Sequence, residues 1–153
     1  MSGFVAGSAN AAFTITNDGF WPDINGDDLR AAQRIETAVT NERLKAAAVA
    51  AIIATNRELA SLKARYQGEG SATLAAVPAD AIGGESPLVA TYRRAIYSAT
   101  SAEVAERYRT YDATNSGTDK ADEERPTIDD YRRDARFATR DLLGVSRTTV
   151  ELL

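Results

Sequence analysis

From Thr40 onward the chain places Leu44, Ala48, Ala51, Thr55, Leu59, Leu62 and Tyr66 at steps of three and four residues. That spacing is one face of a helix. Ile52 and Ile53 widen the stripe. Thr40 is a suitable N-cap, Glu42 sits in the first turn where the helix dipole favours an acid, and Gly68 is the expected stop. The pattern predicts a helix over about residues 40–67, about 40 Å long at 1.5 Å per residue.

Two further helices follow from the same reasoning. Ser86 and Pro87 read as cap and first helical residue, since proline lacks only an N–H that would be unpaired there. Leu88, Tyr92, Ala95, Ala99 and Ala102 then form one stripe, and Tyr97, Val104, Tyr108 and Tyr111 a second, offset one. Two stripes predict a helix with more than one neighbour. Thr127 with Asp130 three residues later resembles a capping box with Asp in place of Glu. Ile128, Tyr131, Ala135, Ala138 and Leu142 continue as a stripe until Gly144.

The remaining segments connect these helices or flank them. Residues 1–20 read as an extended arm, although "FTIT" has the makings of a short strand. Pro22 holds Trp21 extended, and Asp27 and Asp28 open a short helix over about residues 27–36. Leu74, Val77 and Ile82 are apolar anchors in the connection over 68–85, and residues 112–126 form a long polar loop. "VSRTTVELL", at 145–153, is β-branched and apolar with no turn of its own. The expected fold is all-α: a small helical bundle of three principal helices plus a short first one, with extended N- and C-terminal arms. The divisions are 1–19 for the arm, 20–144 for the helical domain and 145–153 for a docking tail.

Composition narrows the chemistry. Apolar residues are 44% of the 153 but aromatics only 7%, so alanine fills much of the core and partners are expected to add stability. Cysteine and histidine are absent, which removes disulfides, thiolate nucleophiles, the usual zinc sites and imidazole catalysis. The first 29 residues hold Asp18, Asp23, Asp27 and Asp28 with no Lys or Arg, leaving 18 acids to balance 18 basic residues in the body. A neutral body argues against a free-standing DNA-binding module. The longest apolar run, Ala46 to Ala54, falls far short of the roughly 20 residues that span a bilayer, and "MSGFVAGSANAAF" lacks the positive start of a secretory signal.

Candidate chemistry is sparse. "GEG" and "GG" lack the strand, helix and Lys–Ser/Thr of a phosphate loop. Asp27/Asp28 and Asp129/Asp130 sit at helix starts, where the dipole accounts for them. Asp119, Asp122, Glu123 and Glu124 share a loop with Lys120 and Arg125. No catalytic, cofactor or metal role is assigned to these carboxylates. The helical arginines have acids at helical distance, as in Glu103 with Arg107 and Asp129 with Arg133, and solvated pairs are the plain reading. Pairing between subunits is the sharper one. Phe20 and Trp21 read as core residues that also anchor the arm.

Four stretches in order, "FWPDI", "LAAVPADAIGGES", "ERYRTYDATNSGTDKAD" and "RRDARFATRDLLG", resemble the phage head completion protein family, GPL, over about residues 20–153. The resemblance implies a non-enzymatic virion component of temperate contractile-tailed phages, without cofactors. It implies a head–tail connector at the head–tail junction, attached beneath the portal protein once DNA is packaged, retaining that DNA and presenting a surface to the tail. Partners on this reading are the portal, further copies in a ring that portal symmetry makes twelvefold, and a tail-proximal neck or tail-terminator protein. Packaged DNA would lie nearby without sequence-specific binding, and no membrane is involved. Val145, Arg147, Thr148, Thr149, Val150, Leu152 and Leu153 are then expected to contact the portal or a neighbouring subunit. Asp112, Asn115, Asp119, Lys120 and Asp122 would face the channel or the ring edge. The competing readings are a small helical regulatory or DNA-binding protein, and a Mg²⁺-dependent nuclease using Asp119 and Asp122.

Overall fold

The computed structural model describes residues 11–112 and 126–146, with the side chains of 108–112 excepted. Strands β1 (Thr14–Ile15) and β2 (Ile24–Asn25) precede helices α1 (Gly26–Gln33), α2 (Asn41–Glu58) and α3 (Ala60–Gly68). A 3-10 turn at Leu74–Ala76 leads to α4 (Pro87–Asp112) and α5 (Ile128–Leu143).

Helix α4 is the hub. Its 26 residues extend about 39 Å. Helix α5 lies antiparallel along it, with Arg132 paired to Glu106 at 2.7 Å. Helix α2 runs antiparallel on α4 as well, Asn56 meeting Tyr92 near one end and Ala46 and Ala47 lying beside Val104 near the other. The Ser101 hydroxyl donates to Gln33 Oε1 at 3.0 Å and ties in α1. Helix α4 thus touches α1, α2 and α5, although Tyr92 of one stripe and Val104 of the other both lie against α2. Ile24, Leu29, Leu44, Leu59, Leu74, Tyr92 and Ile96 form the fully buried centre. Ala95, Ala102 and Ala138 are buried too, and their small side chains let helix backbones approach.

The fold is mainly helical rather than all-α. Thr14 pairs with Asn25 and Ile15 with Ile24 in a two-stranded antiparallel sheet. The Gly26 N–H extends this pairing by donating to the Phe13 carbonyl at 2.8 Å. Alternation explains it: Ile15 turns inward to the core while Thr14 and Thr16 face solvent. Residues 13–15 therefore belong to the body, where the sequence suggested an arm.

The long helix expected over 40–67 is divided at Leu59, whose φ of −91° and ψ of 8° leave the helical region. The Leu59 N–H still bonds Thr55 O at 2.9 Å, and Leu59 O accepts from the Lys63 N–H at 3.0 Å, so this is a bend with its ladder largely intact. No glycine or proline accounts for it. Helix α3 also stops differently than expected. Gly70 at φ 96°, not Gly68, takes the left-handed position, with Ser71 N–H bonded to Tyr66 O and Gly70 N–H to Gln67 O. This is the Schellman arrangement.

The other caps vary. Asn25 Oδ1 accepts from the N–H groups of Asp27 and Asp28 and starts α1, which ends at Gln33, short of residue 36, on Arg34 at φ 52°. Thr40 caps α2 as expected. The Ser86 carbonyl accepts from the Ala90 N–H, but its hydroxyl is buried without a partner, so the expected side-chain cap is not made. The Thr127–Asp130 capping box and the Gly144 stop are both present. The Glu103–Arg107 pair forms at 3.4 Å, whereas Arg133 chooses Asp130 at 2.8 Å and Asp134 at 3.6 Å instead of Asp129.

Candidate interaction surface

The N-terminal loop is fastened by a closed polar ring. Asn17 Nδ2 donates to Tyr92 Oη at 2.9 Å, Tyr92 Oη to Asn56 Oδ1 at 2.6 Å, and Asn56 Nδ2 to Asn17 Oδ1 at 2.9 Å. Three elements, the loop after β1, α2 and α4, are joined through three side chains. Burial pushes the Tyr92 phenol well above its ordinary range, so it stays protonated and keeps its donor role. Beside the ring, Asp18 Oδ1 accepts from the Phe20 and Trp21 N–H groups, and Asp18 Oδ2 pairs with Lys63 of α3 at 2.7 Å. Burial opposes ionisation of Asp18, but the hydrogen bonds from Lys63, Trp21 and Phe20 outweigh it and hold the carboxyl below its usual value.

Phe20 and Trp21 fill the space under this loop. Their rings meet edge to face at 4.9 Å, and Trp21 stacks on Tyr92 at 4.9 Å with 7° between planes. Lys63 Nζ stands 5.8 Å from the Phe20 ring centre, and the Leu74 N–H donates to Phe20 O. Both aromatics are core residues. Sequence reasoning missed Asn17, Asn56, Asp18 and Lys63. Their side-chain partners lie tens of residues away, and only the junction at "FWPDI" hinted at them.

The outward face carries a different set. Ile53, Ile82 and Val145 are the large apolar side chains left exposed among the described residues. Ile82 lies on a turn whose Glu85 pairs with Arg93 in the early part of α4. Val145 follows α5, whose C-terminal end lies beside that same part of α4. These two therefore emerge at one end of the hub helix, and the segment over 112–126 leaves from the other. A shallow groove of about 200 Å³ lies between α2 and α4, lined by Glu42, Arg43, Ala46, Ala47, Val104 and Arg107.

Among the expected contact residues, Val145 is exposed, while Arg147, Thr148, Thr149, Val150, Leu152 and Leu153 lie outside the described residues. Asp112 ends α4, and Asn115, Asp119, Lys120 and Asp122 also lie outside them. Among the described residues no group of three or more acidic side chains is placed to hold a metal ion, and no helix is long and apolar enough to cross a membrane.

A helical body built on one hub helix, with polar side chains fastening its loops and Ile53, Ile82 and Val145 exposed, offers surface for structural contacts. Comparison with known proteins makes this specific. The family model described as phage head completion protein (GPL) matches residues 15–153, and the chain belongs to that family. It is 39% identical over 136 residues to the head completion/stabilization protein of Escherichia phage P2, covering 89% of this chain and 80% of the relative. It is 27% identical over 141 residues to the probable head completion/stabilization protein of Haemophilus phage HP1, covering 91% of each. No solved structure matches. The chain is thus a structural phage protein of head completion and a virion component.

Proposed function

We propose that this protein is the connector placed beneath the portal after DNA packaging, where it helps retain the DNA and presents the surface to which the tail attaches. The 39% identity to a protein named for head completion and stabilization carries the reading. On it, copies of the chain form a ring of portal symmetry, twelvefold, between the portal and a tail-proximal neck or tail-terminator protein. Residues 145–153 are the docking tail, with Val145 already exposed where α5 ends. Val150, Leu152 and Leu153 supply apolar contacts to the portal or an adjacent subunit, Arg147 a polar one at the rim, and Thr148 and Thr149 favour strand-like pairing. Residues 112–126, with Asp112, Asn115, Asp119, Lys120 and Asp122, border the channel or the tail-facing edge. Acids there would keep the ring from gripping DNA, because phosphate and carboxylate repel.

Deleting residues 147–153 tests this. The expected result is an unchanged melting curve, loss of co-sedimentation with the portal, and heads that lose DNA or never join tails. Normal attachment of the truncated protein would overturn the docking role. A collapsed melting curve would mean that the tail folds back onto its own body.

A further inference from the structure

Helix α2 is apolar on every side from Ala46 to Ala54. A helical stretch with no polar face is ordinarily covered all round. Here only the inward side is covered. Ala48 and Ile52 are buried, whereas Ala46, Ile53 and Ala54 are exposed and Ala50 is half-buried. Ile53 leaves 55% of its surface open. No charged side chain interrupts the helix between Lys45 and Arg57. An uncharged apolar strip of about two turns therefore stands on the outer side of α2.

The start of the chain is fastened beside this strip. The Ala11 carbonyl accepts from Asn41 Nδ2 at 2.6 Å, in the first turn of α2. Asn17 Oδ1 accepts from Asn56 Nδ2 at 2.9 Å, so residues 11–17 run along one flank of α2 in the direction of the helix. Residues 1–10 lie outside the described residues. They read "MSGFVAGSAN", with no charged side chain and with Phe4 and Val5 as the bulky apolar pair. Asn10, next to the fastening point, is a residue type that reverses a chain. A reversal there sends the remaining residues back over α2. From Ala9 to Phe4 is about 17 Å of extended chain. From Asn41 to Ile53 is about 18 Å of helix. The returning segment thus brings Phe4 to the level of Ala50 and Ile53.

We propose that residues 1–10 fold back along α2 of their own chain as a strap, with the Phe4 ring seated on Ile53 and Ala50. The strap is tied at Ala11, so the contact is intramolecular, and the tether supplies the high effective concentration that a single small contact needs. The strap requires no partner and stands apart from the connector reading.

A photoreactive ring tests it with the aromatic contact kept. p-Benzoylphenylalanine is placed at position 4 of the full-length chain, and dilute protein is irradiated. Cleavage after Lys45 and Arg57 isolates the strip as one tryptic peptide, residues 46–57. Cross-links from position 4 to this peptide within a single chain are expected. Ile53→Asp, at an exposed site that leaves the core untouched, should lower their yield about tenfold. Cross-links spread over other peptides, or a yield unchanged by Ile53→Asp, overturn the strap. Cross-linked dimers in place of the single-chain product also overturn it and put the segment on a second copy. A spin label on Ser2→Cys, the only thiol in the chain, gives a second readout with Phe4 and Ile53 both present. The label should be immobilised, and Ile53→Asp should release it. A label equally free in both proteins overturns the proposal.

Discussion

Replacing Tyr92 by phenylalanine removes one oxygen atom from the centre of the molecule and tests whether the polar ring fastens the N-terminal loop. The phenylalanine ring keeps the aromatic contact with Trp21, so the change isolates the hydroxyl. Asn17 Nδ2 loses an acceptor but retains the Pro22 carbonyl at 3.1 Å. Asn56 Oδ1 loses the 2.6 Å donor and is left facing a fully buried side chain. A net hydrogen bond contributes about 1 kcal/mol, and a buried acceptor left unpaired costs about 1–3 kcal/mol. Asn56 is only half-buried, so the expected loss is about 1–2 kcal/mol. In a chain of this length that is a drop of roughly 2–8 °C in melting temperature.

Urea unfolding followed by tryptophan fluorescence suits the measurement, because Trp21 is the sole tryptophan and lies against the altered ring. A double-mutant cycle with Asn56→Ala separates the ring from general damage. Once Asn56 is gone, Tyr92→Phe should cost about 1 kcal/mol less than in the intact protein, the size of coupling seen between groups in contact. A loss under about 0.5 kcal/mol for Tyr92→Phe alone, or strict additivity in the cycle, would refute the ring as a fastening device.

Thr127→Ala should cost about 1 kcal/mol, read by thermal melting, because the Thr127 side chain accepts from the Asp130 N–H at 3.2 Å and anchors the capping box. The Asp18 carboxyl is held below its unfolded value of 3.8, so its contribution is fully present above that pH and is lost as pH falls through the lower folded value. Melting curves of Asp18→Asn and the unaltered protein should accordingly differ at pH 7 and converge in strong acid; a constant gap would count against the Lys63 pairing. Along α5, Ala138, Thr139 and Leu142 are buried while no residue from 128 to 137 is, so amide exchange should be faster over 128–136 than over 138–143. Uniform protection would show that the first half of α5 is held by more than α4.

The helices were legible because their signals are local. Stripes at three and four residues, Pro87 at a helix start, Thr127 with Asp130, and Gly144 after the last apolar position each need only a few neighbouring residues to be read. What escaped was set at a distance. Thr14 and Ile15 form a strand only because Asn25 and Ile24 lie opposite, and a two-residue strand leaves almost no period to detect. Leu59 bends its helix without glycine or proline, so nothing at that position announces the change. Arg133 had acids within reach on both sides, and the choice of Asp130 and Asp134 over Asp129 is a matter of side-chain geometry that spacing alone leaves open.

The same division governs the interaction surface. A sequence shows which residues are apolar but not which of them the fold leaves uncovered. Leu74, Val77 and Ile82 looked alike as anchors of one connection, yet the structure buries the first two and presents the third. The difference arises from the turn: Gly83 and Gly84 reverse the chain, Glu85 reaches Arg93, and Ile82 is left facing away from the core. Burying that side chain in a neighbour would recover about 1.5–3 kcal/mol of apolar transfer.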